Sequence, residues 1–190
     1  MNSKKNSKIL GITLLIFIIS ACQYSSKKKI NQDDIRDMLI LNSAYSGRTV
    51  IQDSLLLTEL NGNKTSIENL IKKGPTLFLR LTENNCNTCY EQEILRLEKL
   101  SELVGINKIA LLVSFSKQKY VEIFARNYNI KFPIYNVKLS SFYYNKIEEL
   151  NQPYLFVLDK SNVCENIFIP NSKYGSISQS FYDKIKRRLE

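Results

Sequence analysis

Cys86-Asn87-Thr88-Cys89 stands between an apolar run, Pro75-Thr76-Leu77-Phe78-Leu79-Arg80-Leu81, and a helical pattern from Tyr90 to Val104. Thiols at this spacing, where a strand passes into a helix, lie one helical turn apart and can close a small disulfide. The first thiol falls at the helix N-terminus, where unpaired amides and the macrodipole favour a thiolate. Cys86 is therefore the expected attacking sulfur and Cys89 the resolving one.

Residues 1–21 read as an export leader. Lys4, Lys5 and Lys8 precede an apolar run, Ile9 to Ile19, which ends in Ser20-Ala21-Cys22. Eleven apolar residues fall short of the roughly 20 that span a bilayer. Small residues ahead of a cut are what a signal peptidase reads. A cysteine directly after them resembles the lipobox of bacterial lipoproteins. That resemblance implies lipidation of Cys22 and cleavage before it, with an uncleaved anchor or a plain secretory signal as alternatives. The protein is then expected outside the cytoplasm, anchored in the bacterial envelope, facing the periplasm or on the outer membrane. Gln23 follows Cys22, so no aspartate signals retention at the inner membrane.

Removing residues 1–21 takes away three of 27 basic residues and none of 18 acids, so the net charge drops from +9 to +6. Lys27-Lys28-Lys29 reads as a solvated spacer, with contact to anionic headgroups as the alternative. Lys184, Lys186, Arg187 and Arg188 read as a solvated helix end, where positive charge suits the dipole. No nucleic-acid motif accompanies them. The chain has no histidine. That excludes a Ser-His-Asp triad, a Cys-His protease pair and any histidine-bearing metal site. Cys86, Cys89 and Cys164 supply three thiolates at most, one short of a structural zinc site. Cys164 itself lies in a strand-like run and reads as a small buried hydrophobe.

Residues 22–46 are polar and form an expected tether with one short helix; residues 47–190 form the expected domain. Thr49 to Leu60 leads into Asn61-Gly62-Asn63, a hairpin signal. Thr65 or Ser66 can cap a short helix through Ile71. Buried strands are expected at Leu77 to Leu81 and Ile109 to Phe115. The helix after Cys86 carries a stripe of Ile94, Leu95, Leu97, Leu100 and Leu103. Lys117 to Asn127 is helical, with Tyr120, Val121, Phe124 and Ala125 on one side. Phe132 to Val137 is a short strand placed at the periphery because of Pro133. Ser141 to Leu150 is helical, Tyr154 to Leu158 and Val163 to Ile169 pair across a turn, and Ser178 to Leu189 closes the chain as a helix. This alternation predicts an α/β fold with a mostly parallel central sheet and added antiparallel strands.

Over residues 47–190 the chain resembles the thioredoxin-fold family, most closely its membrane-anchored TlpA-like thiol-disulfide oxidoreductases. Three segments carry the resemblance: Leu60-Asn61-Gly62-Asn63-Lys64-Thr65-Ser66-Ile67-Glu68-Asn69-Leu70 ahead of the first core strand, the Cys86/Cys89 pair, and Gln152-Pro153-Tyr154-Leu155-Phe156-Val157-Leu158-Asp159. It implies a three-layer fold, a central mixed sheet flanked by helices and entered by an N-terminal β-hairpin. It also implies a cis bond before Pro153 and a backbone at Gln152 that pairs with substrate. The chain departs from the family pattern at Asn87-Thr88, a dipeptide that tunes redox potential, and at Asn85, where an aromatic usually stands. Arg80 occupies the place of a buried acid and stays protonated. It is expected to stabilise a thiolate or to mark a polar pocket; Glu83 could stand in as a local acid but is not expected to.

The activity so implied is disulfide exchange through Cys86 and Cys89, with no cofactor beyond the dithiol. Its expected partners are exported proteins carrying disulfides or thiols, a membrane thiol reductase as electron donor, and the membrane through Cys22. A non-catalytic surface lipoprotein using the fold as a binding module is the alternative. A peroxidase of the peroxiredoxin type needs threonine three residues before its cysteine, and Glu83 stands there.

Overall fold

The computed structural model describes residues 32–51, 55–142 and 145–190. The leader, Cys22 and Lys27-Lys28-Lys29 lie outside the described residues. Arg36–Glu190 forms one compact unit, and apart from the first four residues of the N-terminal helix the features below belong to it.

Helix α1 (Gln32–Tyr45) precedes the hairpin of β1 (Leu56–Glu59) and β2 (Lys64–Ser66). Gly62, at φ +86°, makes the turn, and its amide donates to the Glu59 carbonyl at 3.0 Å. A residue with a Cβ is disfavoured there. Ser66 caps α2 (Ile67–Ile71) by accepting from the Asn69 amide at 3.4 Å. Then follow β3 (Thr76–Thr82), α3 (Asn87–Val104), β4 (Ile109–Ser114), α4 (Gln118–Asn127) and β5 (Ile134–Asn136). Two 3-10 turns, Leu139–Phe142 and Lys146–Leu150, lead to β6 (Tyr154–Leu158), β7 (Glu165–Phe168) and α5 (Gly175–Leu189).

The seven strands form one sheet in the order β2-β1-β5-β4-β3-β6-β7. Only β3–β4 and β4–β5 are parallel, each joined through a helix; the other four pairings are antiparallel, so the sheet is mixed and not mostly parallel as the alternation of elements predicts. Parallel neighbours need a crossover, and α3 and α4 supply it.

Residues Thr76 to Leu81 of β3 are all buried, so both faces of the strand must be covered. Leu77, Leu79 and Leu81 pack with Ile94, Leu97, Val121, Phe124 and Ile185 beneath α3, α4 and α5. Phe78 packs on the other face with Ile67, Ile71, Phe142, Ile147 and Phe156, its ring stacked 5.3 Å from that of Phe156. Helices therefore lie on both sides of the sheet, as a three-layer α/β fold requires.

The segment before residue 47 contributes to this unit. Asn42 of α1 is buried, and its side-chain oxygen accepts from the Ile169 amide at 2.9 Å.

Three local expectations are corrected. Strand β5 is internal, between β4 and β1. Pro133 precedes it by one residue, so its missing N–H costs no bond within the strand, and its carbonyl still accepts from the Leu111 amide at 2.9 Å. Leu95 and Leu103 of α3 are exposed, as is Tyr120 of α4. The buried arc of α3 is instead Tyr90, Glu93, Ile94, Leu97, Leu100 and Ser101, with two polar residues in places an apolar pattern assigns elsewhere. The stretch expected as one helix over Ser141 to Leu150 instead takes in the end of one short 3-10 turn and the whole of a second, with Asn145, extended in φ and ψ, ahead of the second.

Ile94→Ala should lower unfolding free energy by about 2–5 kcal/mol, the range for buried truncations. Leu103→Ala should change it by less than about 0.5 kcal/mol. Urea titrations monitored by circular dichroism separate the two, and equal losses would refute the assignment of the buried face.

Candidate active site

The loop from β3 to α3 is closed at both ends by Asn85. The Thr82 amide donates to the Asn85 side-chain oxygen at 2.8 Å, and the Asn85 amide donates to the Thr82 carbonyl at 3.2 Å. Asn85 is buried. The residue before the first cysteine therefore makes a tight turn by its own side chain, a role open to asparagine and closed to an aromatic.

Cys86 is the N-cap of α3, with extended backbone and no side-chain capping bond. Its thiol is exposed. The Cys89 amide donates to the Cys86 carbonyl at 3.0 Å, which closes the first turn over the Asn87-Thr88 dipeptide. Cys86 Sγ lies 3.2 Å from Thr88 Oγ1. Hydrogen bonding from Thr88, then from Cys89, holds the Cys86 thiol below its ordinary range. Cys89 is partly covered; burial first, and the neighbouring Cys86 second, push its thiol up. Two thiols three residues apart thus differ in charge preference because one is exposed and accepts hydrogen bonds while the other is partly buried and donates to it.

The tyrosine that follows Cys89 supports the turn. Tyr90 Oη donates to Asn87 Oδ1 at 2.6 Å. The Tyr90 ring meets those of Phe124 and Tyr128 at centroid distances of 5.8 and 5.9 Å. Burial, and the charge of Cys86 among lesser causes, raises the Tyr90 phenol, so it stays a donor.

Antiparallel pairing of Arg80 with Tyr154 carries the preceding residue, Pro153, toward the end of β3 that feeds Cys86. Gln152 is exposed and Pro153 buried. The expected cis bond is not there: no peptide bond among the described residues is cis. The chain reverses instead at Asn151, which adopts left-handed φ 48° and ψ 40°. Asparagine tolerates that conformation, so the turn needs no cis bond.

Arg80 points away from the thiols. It lies on the face of β3 opposite α3, 1% exposed. Its Nε and Nη2 donate to Glu148 Oε1 and Oε2 at 3.0 and 3.1 Å. Of the two expectations for Arg80, the polar pocket is the one realised. Glu83 accepts through Oε1 from the Ser116 amide, fastening this loop to the one after β4.

Cys164 is buried on the side of the sheet that also holds Phe78 and Phe156, and burial drives its thiol far up. It is inert packing. Among the described residues no group of three or more cysteines and carboxylates could hold a metal. No helix among them is long and apolar enough to cross a membrane.

Sequence reading missed Glu93, one turn past Cys89. It is 3% exposed. It pairs with Arg96, and accepts from Ser178 Oγ at 3.2 Å and from Tyr182 Oη at 2.9 Å. Burial raises its carboxyl above the ordinary range despite these partners. The signal was a charged residue within an otherwise apolar arc, readable only once α5 is placed beside it.

No family model matches the sequence, and no curated protein matches it. Solved structures do. A proposed protein disulfide isomerase from Bacteroides thetaiotaomicron superposes with a TM-score of 0.58 at 14% identity, over 76% of this chain and 89% of that one. A thiol:disulfide interchange protein from Bacteroides sp. gives 0.52 at 13%, over 70% and 88%. DsbF of MTB gives 0.51 at 15%, over 73% and 96%. The fold is thioredoxin-like. Within that fold, the dithiol loop occupies the junction of β3 and α3 at the C-terminal edge of the parallel strands, where α/β sheets place their reactive groups.

Two outcomes follow for the thioredoxin-like domain. Iodoacetamide alkylation of Cys86, resolved by mass spectrometry across pH, should reach half-maximal rate at lower pH than alkylation of Cys89. Thr88→Val should shift the Cys86 midpoint upward; an unmoved midpoint would remove Thr88 from the account. For Glu93, a raised folded-state pKa means its contribution to stability is full at pH below the unfolded carboxyl range. That contribution is lost as pH rises through the folded value. Glu93→Gln should therefore flatten this part of the stability curve, measured by urea unfolding at a series of pH values.

Proposed function

We propose that this protein is a thiol-disulfide oxidoreductase, anchored by a lipid at Cys22 outside the cytoplasm and acting on exported proteins. The observation that carries the reading is the contrast between an exposed, hydrogen-bonded Cys86 with a lowered pKa and a partly covered Cys89 with a raised one. The dithiol places these at the N-terminus of a helix in a fold shared with proteins named for disulfide exchange.

In the reducing direction the Cys86 thiolate attacks one sulfur of a substrate disulfide. The Cys86–substrate bond forms, the substrate S–S bond breaks, and the first substrate thiolate leaves and takes a proton. Cys89 then loses its proton and attacks Cys86 Sγ, forming Cys86–Cys89 and releasing the second substrate thiol. Two electrons and two protons pass from the protein dithiol to the substrate. A membrane thiol reductase returns them. The high pKa of Cys89 fits this order, since a covered thiol waits until the mixed disulfide brings it into play. Gln152 and Pro153, at the same edge as Cys86, are the proposed docking segment for the substrate backbone.

Equilibrating the full chain with glutathione and reading the Cys86–Cys89 state should give a potential between about −120 and −270 mV, the span of exchange catalysts. Cys86→Ser should abolish exchange with a disulfide substrate, and Cys164→Ser should leave it. A potential below about −300 mV, typical of structural disulfides, without exchange activity would overturn the enzyme in favour of a binding module.

A further inference from the structure

Arg80 is the one charged residue in the wholly buried stretch of β3. Its guanidinium has four acceptors. Nη1 donates to the Leu81 carbonyl at 2.7 Å and to the Leu112 carbonyl at 3.3 Å. Nε and Nη2 grip both oxygens of Glu148. Phe142 covers the group, its ring centroid 4.4 Å from Cζ. Planar, forked donors suit this bidentate grip.

Glu148 also accepts from Tyr154 Oη at 2.6 Å. One carboxylate thereby holds residues on both sides of the Asn151-Gln152-Pro153 turn: itself in the 3-10 turn before, and Tyr154 at the start of β6 after. Tyr154 is additionally locked to Arg80 by strand register. Both ends of the five-residue span 149–153 are fixed to β3, whose own C-terminal end leads to Cys86. Buried charge of this kind is weak support for stability, since apolar replacements are often as stable. Its arrangement here serves position.

We propose that the Arg80–Glu148–Tyr154 network is a clamp that sets the distance and angle of the Gln152–Pro153 segment relative to Cys86, and so governs exchange with polypeptide disulfides. The inference rests on the oxidoreductase reading. These three are positioning residues: Arg80 lies across the sheet from α3, and its polar contacts are with Glu148 and two strand carbonyls. A clamp on the docking segment leaves the intrinsic reactivity of Cys86 unaltered. It alters the alignment of a bound peptide disulfide with the thiolate.

The test uses the full chain with Tyr154→Phe, which keeps the buried ring and removes one hydroxyl, and with Glu148→Gln as a second variant. Both are checked for native circular dichroism. Two rates are read. Alkylation of Cys86 by iodoacetamide, which needs no docking, should stay within twofold of the parent. Mixed-disulfide formation with a disulfide-bonded peptide should slow by roughly tenfold to a hundredfold, the cost of misalignment by a fraction of an ångström to one ångström. Unchanged peptide exchange in both variants would overturn the clamp while leaving the enzyme intact. Equal losses in both rates would also overturn it, by assigning the network to the thiols. A parent chain unable to exchange with the peptide would defeat the oxidoreductase reading and the clamp with it.

Discussion

Burial of β3 from Thr76 to Leu81 is the constraint on which the remaining structure depends. A strand without a solvent face must be flanked by strands on both edges and covered on both surfaces. The β4 and β6 strands take the edges. Helices α3, α4 and α5 cover one surface; α1, α2 and the 3-10 turns border the other. The same burial fixes where chemistry can occur. Side chains inside the sheet are spent on packing, so the first exposed thiol is the one just past the strand's end. Cys86 holds that place because the tight turn Thr82 to Asn85, closed by the Asn85 side chain, delivers the chain to it.

Separation of the two thiols by pKa then follows from local geometry. Cys86 caps a helix from outside and meets water and the Thr88 hydroxyl. Cys89 sits within the first turn, where part of its surface is withdrawn from solvent. No formal charge of opposite sign is required. This makes Asn87-Thr88 more than a spacer: Thr88 supplies the hydroxyl at the sulfur, and Asn87 supplies the oxygen that accepts from Tyr90. A Gly-Pro dipeptide offers neither group.

Much of this was legible in the sequence where one residue type carries one physical instruction. Asn61-Gly62 specified the hairpin, the Thr65-Ser66 pair the cap of α2, and the apolar runs the central strands. The cysteine spacing marked the strand–helix junction. Errors arose where partners came from far along the chain. Glu93 is buried because Ser178 and Tyr182, some 85 residues later, receive it. A periodicity count that rewards only apolar residues therefore assigned its arc to Leu95 and Leu103. Pro133 was read as an edge marker, although a proline one residue outside a strand takes no donor from its ladder. The bond before Pro153 was expected to do the turning, and Asn151 does it in the left-handed conformation.

Arg80 shows why a charge in a buried strand should be read through its partners. On sequence alone its nearness to Cys86, six residues away, invited a direct electrostatic role. The pleat decides otherwise. Leu79 and Leu81 face α3, so the residue between them faces the opposite layer. A cation there cannot reach the thiols without crossing the sheet, and desolvation forces it to find acceptors locally. It finds two strand carbonyls and the Glu148 carboxylate. Its charge therefore goes into a network that joins Glu148 and Tyr154 on either side of the Asn151-Gln152-Pro153 turn. Thiolate stabilisation at Cys86 is left to hydrogen bonds of its own first turn.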